Sequence, residues 1–548
     1  MEIRLENPKE ILANMQTILH RYKDAAKKKR GIEPYISMYC MDINRDNLIA
    51  VNGFRDAHAH INDKFINVMV QYGQGDPCYS LASNHSLKEL HEALWDSESA
   101  AWNNYHNFIT SPRELLPRKL LHGPKIEDHV KLEKLGVVDF SKASMDDLYE
   151  FLIKINDKIL KTNKKITYAK ATMGILTGNE IFYDSLGSKI IQENSRMTTK
   201  LTACARANDM PRRYIDIEER VGGFGGYELV KKFYPEAMLK AEEIANKAIE
   251  FAKAKSKDGN FNLVGKEYDV VLDGKVAAIS IHEIGAGHAA EATALLEEYG
   301  VTPNPFKGKI GKKVGGTEDL NILDYSLEEI LEMKPFSWYA FDVEGTPAMK
   351  TWIVKNGRFN SYLHTRESAG TLSKERGGGV LTGNARLESC AETDEDESGD
   401  TVFRARCPEA RMSTLFIVPS QKKCSLEDLL HSIKGKGLYL AGLSFGETNR
   451  EQGEVGFQEL YFINSAGHKV PLRMKGNSIY ITDNVVGYMN KITAIGDKST
   501  VVVDTGWCLS RSGEVPHTAS GAAIKVKNLP LSPRQLPRPM KPPLIPIP

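Results

Sequence analysis

The chain has little cysteine, no excess of charge of either sign and no long apolar run. Its seven cysteines, at 40, 78, 204, 390, 407, 424 and 508, are scattered over 548 residues, and no two form a Cys-x-x-Cys pair. That excludes a disulfide-stapled scaffold, and an odd, sparse set reads as reduced thiols. Seventy-two basic residues against 71 acidic ones leave a formal charge of +1, so nothing global favours nucleic acid or an anionic membrane as partner. No stretch reaches the roughly 20 apolar residues of a membrane-spanning helix. The segment Met1-Glu-Ile-Arg-Leu-Glu-Asn-Pro-Lys-Glu10 is charged and carries no signal-peptide core, so a cytoplasmic protein is expected. There is no clear short-period repeat. What is present, 41% hydrophobic and 26% charged residues, is the balance of a soluble globular chain. The length suggests two domains or more.

Patterning predicts helices over 8–30, 86–108, 144–162 and 226–256, the last rich in Ala, Glu and Lys. Residues 35–82 alternate like an antiparallel meander, and strands follow at 165–185 and 195–207. Between the second and third helices, 110–143 contains Pro112, Pro117 and Pro124 and reads as an irregular excursion. Short helices are expected at 324–333 and 425–434 in an otherwise strand-rich C-terminal half. The fold class is therefore α+β. An N-terminal domain, 1–255, combines antiparallel strands with long helices, and a strand-rich C-terminal domain, 265–528, follows it. The tail, 529–548, has eight prolines from Pro530 to Pro548 and should be extended or disordered.

The segment with most chemistry in it is His282-Glu-Ile-Gly-Ala-Gly-His288-Ala-Ala-Glu291. Neutral imidazoles bind zinc, and a carboxylate beside one of them can take a proton from water. The apolar run from Val270 to Ile281 reads as a strand with a turn at Leu272–Gly274, and Ala289 to Tyr299 as a helix. The histidines are six apart, so on a regular helix their side chains would point about 120° away from each other. Gly285 and Gly287 can adopt backbone angles closed to other residues, and a bent or bulged helix start would let both rings converge. The bland alternative is a Gly/Ala-rich turn with no metal.

The segment resembles the signature of the TldD/PmbA family of metallopeptidases, a His-Glu pair followed by Gly-His and a glutamate. Further motifs follow in the family's order. Asp342-Val-Glu-Gly-Thr-Pro347 resembles its acidic Gly-Thr-Pro turn. Leu381-Thr-Gly-Asn-Ala-Arg386, running on to Glu388-Ser389, is similar to its Gly-Asn-(Gly/Ala)-Arg segment, and Ala410-Arg-Met-Ser413 to its Pro-Arg-Met-(Ser/Thr) segment. Cys508, with Gly513-Glu514 and Pro516 after it, resembles the C-terminal cysteine loop. Asp184-Ser-Leu-Gly187 and Arg220-Val-Gly-Gly-Phe-Gly-Gly-Tyr-Glu228 resemble elements of the N-terminal half. The resemblance implies a zinc peptidase with His282, His288 and Cys508 as ligands and Glu283 as base, acting on short or unfolded peptides. Three protein ligands leave a fourth position open, as in a catalytic rather than a structural zinc site. Glu291 is a fallback ligand or, more simply, a support for a histidine. The resemblance also implies a homodimer, or a heterodimer with a related subunit. The family usually has three residues between the first Glu and the second His, and here there are four; the loop after Cys508 is also one residue longer. Two alternatives stay open: a non-catalytic partner subunit, and a tailoring enzyme acting on a modified peptide or small amide.

Other motifs carry less. Asp56-Ala-His58-Ala-His60 has an amidohydrolase-like pattern, with both rings on one strand face, but the further ligands of that class are missing. His91-Glu92 begins like a zinc motif, yet position 95 is Trp. Gly222-Gly-Phe-Gly-Gly226 lacks the Lys-Ser/Thr ending of a phosphate loop and reads as a hinge or close-packing turn. The acidic stretch 391–400 and the basic Lys27–Arg30 read as solvated. His364, with Arg366 and Glu367, forms a polar cluster. His364, Arg386 and Arg411 are expected as substrate contacts, the arginines able to hold a carboxylate bidentately or to serve as structural ion-pair residues.

Overall fold

The computed structural model describes all residues except 1–6, 84–86, 112–116, 209–213, 255, 258–262, 264, 297–303, 388–392, 396–400, 404–406, 450–451, 475–478, 511 and 534–548. The N-terminal part opens with helix α1 (Pro8–Arg30) and the long strands β1 (Tyr35–Val51), β2 (Phe54–Gln71) and β3 (Cys78–Ser83), the expected meander. Helix α2 (Leu87–Thr110), a short β4 (Glu127–Val130) and α3 (Met145–Thr162) come next, then β5 (Ile166–Asp184), β6 (Lys189–Arg206), β7 (Tyr214–Phe224) and α4 (Glu228–Lys253). The sheet order is β3-β2-β1-β5-β6-β4, with β7 also on β6. β7 escaped the sequence reading because its glycines break the strand pattern. They fit there through close packing: a Cβ on Gly222 would lie 2.5 Å from the Met197 carbonyl oxygen. The excursion at 110–143 holds β4 and two single turns of 3-10 helix.

α1 and α2 pack their apolar faces on one patch of the sheet, through residues such as Ile11, Met15 and Leu94. α3 and α4 cover another, and that core continues into the C-terminal part through Val271, Tyr439 and Tyr461. The basic end of α1 is held by ion pairs, exposed Lys27 to Glu33 at 2.8 Å and a partly buried Arg30 to the buried Glu98 at 2.9 Å, so only part of it is the solvated end the sequence suggested. No helix among the described residues is long and apolar enough to cross a membrane.

The C-terminal part has two main sheets. Strands Glu267–Leu272, Leu438–Thr448, Gln452–Ile463, Ile479–Asn484 and Ile524–Pro533 pair around a closed ring, because Leu438–Thr448 bonds to both Glu267–Leu272 and Gln452–Ile463. The last strand runs through residue 528 into the proline-rich segment. A six-stranded sheet has Thr414–Ile417 beside Gly513–Gly521, which pairs in turn with Val502–Ser510.

Three sequence expectations change here. The run Val270–Ile281 is not one strand: the strand stops at Leu272, and Gly274–Glu283 is a helix, α5. Every residue from Gly274 to His282 is buried, so no polar face exposed a helical period, and the β-branched residues mimicked a strand. The helix expected at 289–299 is a single 3-10 turn, Ala292–Leu295, with 297–299 outside the described residues. The helix expected at 324–333 is the end of a short strand, Ile322–Asp324, followed by turns. The helix expected at 425–434 is present as Leu426–His431, capped by Ser425.

Candidate metal centre

α5 is started and anchored by Asp273. Its carboxylate accepts from the Val276 backbone N–H at 2.7 Å and from that of Gly442 at 3.2 Å, tying the helix to the neighbouring barrel strand. The helix ends at Glu283, the chain breaks at Ile284–Gly285, and a one-turn helix α6 (Ala286–Ala289) follows. This break brings together two histidines that a continuous helix would separate. It is tightly closed: a Cβ on Gly287 would lie 2.4 Å from the His282 carbonyl oxygen and 2.6 Å from Met412 Sδ. Only glycine fits at that spot.

Strand Val502–Ser510 supplies the third group. Nε2 of His282 lies 3.3 Å and Nε2 of His288 3.5 Å from Cys508 Sγ. The three ligand atoms are all within 4.8 Å of one another, the one such His/Cys/Asp/Glu group among the described residues. The two imidazole rings stand at 89° with centroids 4.8 Å apart. Nδ1 of His288 is 3.0 Å from Glu291 Oε2, the carboxylate–histidine arrangement that fixes a ligand's tautomer. Glu283 faces the same point, with Oε1 3.9 Å from Nε2 of His282 and Oε2 3.7 Å from Nε2 of His288.

The electrostatics suit a cation. Burial alone would raise the Cys508 thiol, but Arg411 and the two imidazoles overcome it and hold the group well below its ordinary value, favouring the thiolate that binds metals. Burial would lower His288, but Glu291 and Cys508 raise it well above the ordinary imidazole value. Burial raises the Glu283 carboxyl. Two soft or borderline nitrogen donors, one thiolate and a nearby free carboxylate form a donor set that fits a zinc-like divalent ion with an open position.

The cluster lies at the bottom of a cleft of about 1130 Å³ between the N-terminal sheet and the C-terminal part. Arg45, Thr172, Lys200 and Arg220 come from strands β1, β5, β6 and β7; Phe445, Gly446 and Trp507 come from the other side. Charges on the walls are mixed: Arg45 pairs with Asp63 at 2.9 Å and lies over the Trp507 ring, and Lys200 pairs with Glu218 at 2.8 Å.

The three expected substrate contacts do not line this cleft. His364 is buried against Ser368, and burial pushes it down to about 4. Arg386 stacks over Tyr339 and donates to the Pro516 carbonyl at 3.4 Å. Arg411 donates to the Cys508 carbonyl at 2.8 Å and to Ser512 Oγ at 3.0 Å. Its fork is therefore spent on the cysteine loop, the structural role left open from sequence. His58 and His60 share one oxygen of Asp46, at 2.9 Å each, on an exposed strand face. Sequence reasoning missed His517, whose ring centroid lies 4.8 Å from that of His282; burial lowers it to about 3. It also missed Gly446, which packs on Glu283. Neither belongs to a local motif.

Residues 265–530 match the family model described as the PmbA/TldA metallopeptidase C-terminal domain. A protein named a metalloprotease from Methanocaldococcus jannaschii is 29% identical over 441 residues, covering 77% of this chain and 86% of that protein. A protein named a metalloprotease TldD homolog from Haemophilus influenzae is 26% identical over 263 residues, 47% of each chain. The crystal structure of TldE from Thermococcus kodakarensis superposes with a TM-score of 0.63 at 14% identity, over 95% of this chain and 100% of that one, which speaks to the fold alone. The C-terminal part of the chain, residues 265–530, belongs to the TldD/PmbA family.

Proposed function

We propose that the protein is a zinc-dependent peptidase whose metal ligands are His282, His288 and Cys508 and whose general base is Glu283. The observation that carries this reading is the convergence of those four side chains at the floor of one cleft. A bound zinc supplies Lewis acidity and lowers the pKa of water to about 7. The rest is done by the chain. Glu283 takes a proton from the attacking water and returns it to the leaving amine, a cycle favoured by a carboxyl raised through burial. Arg411 holds the Cys508 backbone and Glu291 holds His288, so the ligand set is built before substrate arrives.

The substrate is a short or unfolded peptide. The cleft exceeds the usual size of a small-molecule pocket, which suits an extended chain. An extended peptide laid beside Leu443–Asn449 would be held by main-chain hydrogen bonds and present its amide next to Glu283. The N-terminal part, 1–255, forms one wall and the C-terminal part, 265–528, carries the chemistry. Pairing as a homodimer, or with a metal-free relative, completes the proposal; the intact His282, His288 and Cys508 set supports the metal-bearing role over the scaffold role.

The test is cleavage of a library of unmodified, unfolded peptides read by mass spectrometry, with the wild type and Glu283→Gln side by side. Cuts that appear with the wild type and vanish with Glu283→Gln and with chelator support the reading. No cuts from zinc-loaded wild type would sink peptide hydrolysis and favour a tailoring reaction on a modified substrate.

A further inference from the structure

One basic residue is buried where local rules would not place it. Lys275 stands in the first turn of α5, where the helix dipole disfavours a cation, and it is only 4% exposed. The residues after it, Val276 to Ile281, are apolar or small. A lysine is buried in this way only when its charge is matched, and here it is matched twice. Its Nζ donates to Glu219 Oε2 at 2.7 Å and lies 3.3 Å from Asp504 Oδ1. Burial alone would lower the ammonium, but the two carboxylates raise it above its ordinary value, so it stays charged.

The two partners come from different parts of the chain. Glu219 belongs to β7 of the N-terminal sheet and is also reached by Lys240 of α4 at 3.3 Å. Asp504 belongs to strand Val502–Ser510, four residues before Cys508. Lys275 does not line the cleft; it sits behind the wall and joins three elements there.

The spacing along helix and strand matches. Lys275, Ile279 and His282 recur at i, i+4 and i+7, so they lie along one face of α5. From Lys275 to His282 the helix rises about 10 Å, at ~1.5 Å per residue. From Asp504 to Cys508 the strand advances about 13 Å, at ~3.3 Å per residue. Helix and strand therefore run side by side. They are joined at one end by Lys275 with Asp504 and meet at the other where His282 Nε2 lies 3.3 Å from Cys508 Sγ.

We propose that Lys275 is a positioning residue for the metal centre. By joining Asp504 to Glu219 it clamps the start of α5 to the cysteine strand and to the N-terminal sheet, and so sets the distance of His282 and Glu283 from Cys508. Its bearing on metal binding rests on the reading of His282 and Cys508 as ligands. Such groups must be held within about 0.5 Å, and loss of a residue that orients them lowers metal affinity by about 10–100-fold.

The test uses the full chain as wild type, Lys275→Met, Asp504→Asn and Lys240→Met, with cobalt(II) in place of zinc. Cobalt takes the same donors, and its sulfur-to-cobalt charge-transfer and ligand-field bands report the geometry of the site. Affinity is read by titration, and the thermal midpoint of each metal-free protein is measured beside it. Lys275→Met leaves Glu219 with Lys240 and Asp504 with Arg220, at 3.3 and 3.6 Å, so the chain should still fold. It should bind cobalt about 10–100-fold more weakly, with altered ligand-field bands. Asp504→Asn, which keeps Lys275 on Glu219, should do the same, and it decides the matter should Lys275→Met not fold. Lys240→Met, which leaves the clamp in place, should lower the midpoint with bands and affinity unchanged. Wild-type bands and affinity in a folded Lys275→Met, or in Asp504→Asn, overturn the proposal. An equal change in Lys240→Met also overturns it, because the ion-pair network as a whole would then matter and not the clamp. A wild type that binds no cobalt removes the ligand reading and this inference with it.

Discussion

Gly446 packs directly against Glu283: a Cβ at position 446 would sit 2.7 Å from the Glu283 Cγ and 2.9 Å from its Oε1. The carboxylate therefore owes its place over the two imidazoles to a missing side chain on the strand packed against α5. Gly446→Ala should push the carboxylate aside. Displacing a reacting group by about 1 Å can cost ~10²-fold in rate, so kcat should fall by about that factor while zinc content stays at the wild-type level. Steady-state kinetics with metal analysis check this. Wild-type kcat would show that Glu283 does not need this position.

Arg411 is almost fully buried, with Nε 3.6 Å from Glu291 and a 2.8 Å hydrogen bond to the Cys508 carbonyl. Arg411→Ala removes the buried cation beside Glu291 and Cys508 and leaves His288 as their remaining partner, a loss of about 3–5 kcal/mol. Denaturant unfolding should show a loss of this order, and zinc affinity should fall with it. Arg411→Lys should recover little, because a lysine lacks the planar fork that reaches Glu291, Ser512 and the cysteine carbonyl together. Full recovery by lysine would mean that only the charge matters.

Glu344 makes the stability depend on pH. Burial, reinforced by Asp342, raises its carboxyl from 4.5 to about 8, and it accepts the Arg366 backbone N–H at 2.6 Å. The folded chain thus keeps a proton that the unfolded chain has released. The stability from this group is fully present below about pH 4.5 and is lost as the pH rises toward about 8. Glu344→Gln, which can still accept that N–H, should flatten the decline. Urea midpoints measured between these limits check it, and equal slopes for the two proteins would contradict it.

Much of this was legible in the sequence where local pattern and burial agree. α1, α3 and α4 have one wet and one dry face, and β1 alternates over part of its length; β2 instead is exposed through its first half and buried through its second. α5 was illegible because it is buried all round, so its period had nothing polar to mark it. His282, His288 and Cys508 could be grouped from the sequence, since they match a motif residue by residue, and the structure brings them together, but the break at Ile284–Gly285 that makes the histidines meet is a tertiary feature. His517 stood outside any motif: its place beside His282 comes from lying across from Gly506, which only strand register reveals. Arg411 was visible as a motif residue, yet whether its fork met substrate or backbone depended on the loop that folds over it.

The most direct test of the account is zinc stoichiometry by elemental analysis on wild type, Glu283→Gln, His288→Ala and Cys508→Ala, purified without chelator. The account predicts about one zinc in the wild type and in Glu283→Gln, and little in the two ligand variants. A wild type without zinc, or ligand variants that keep it, would contradict the central claim that His282, His288 and Cys508 form the metal centre.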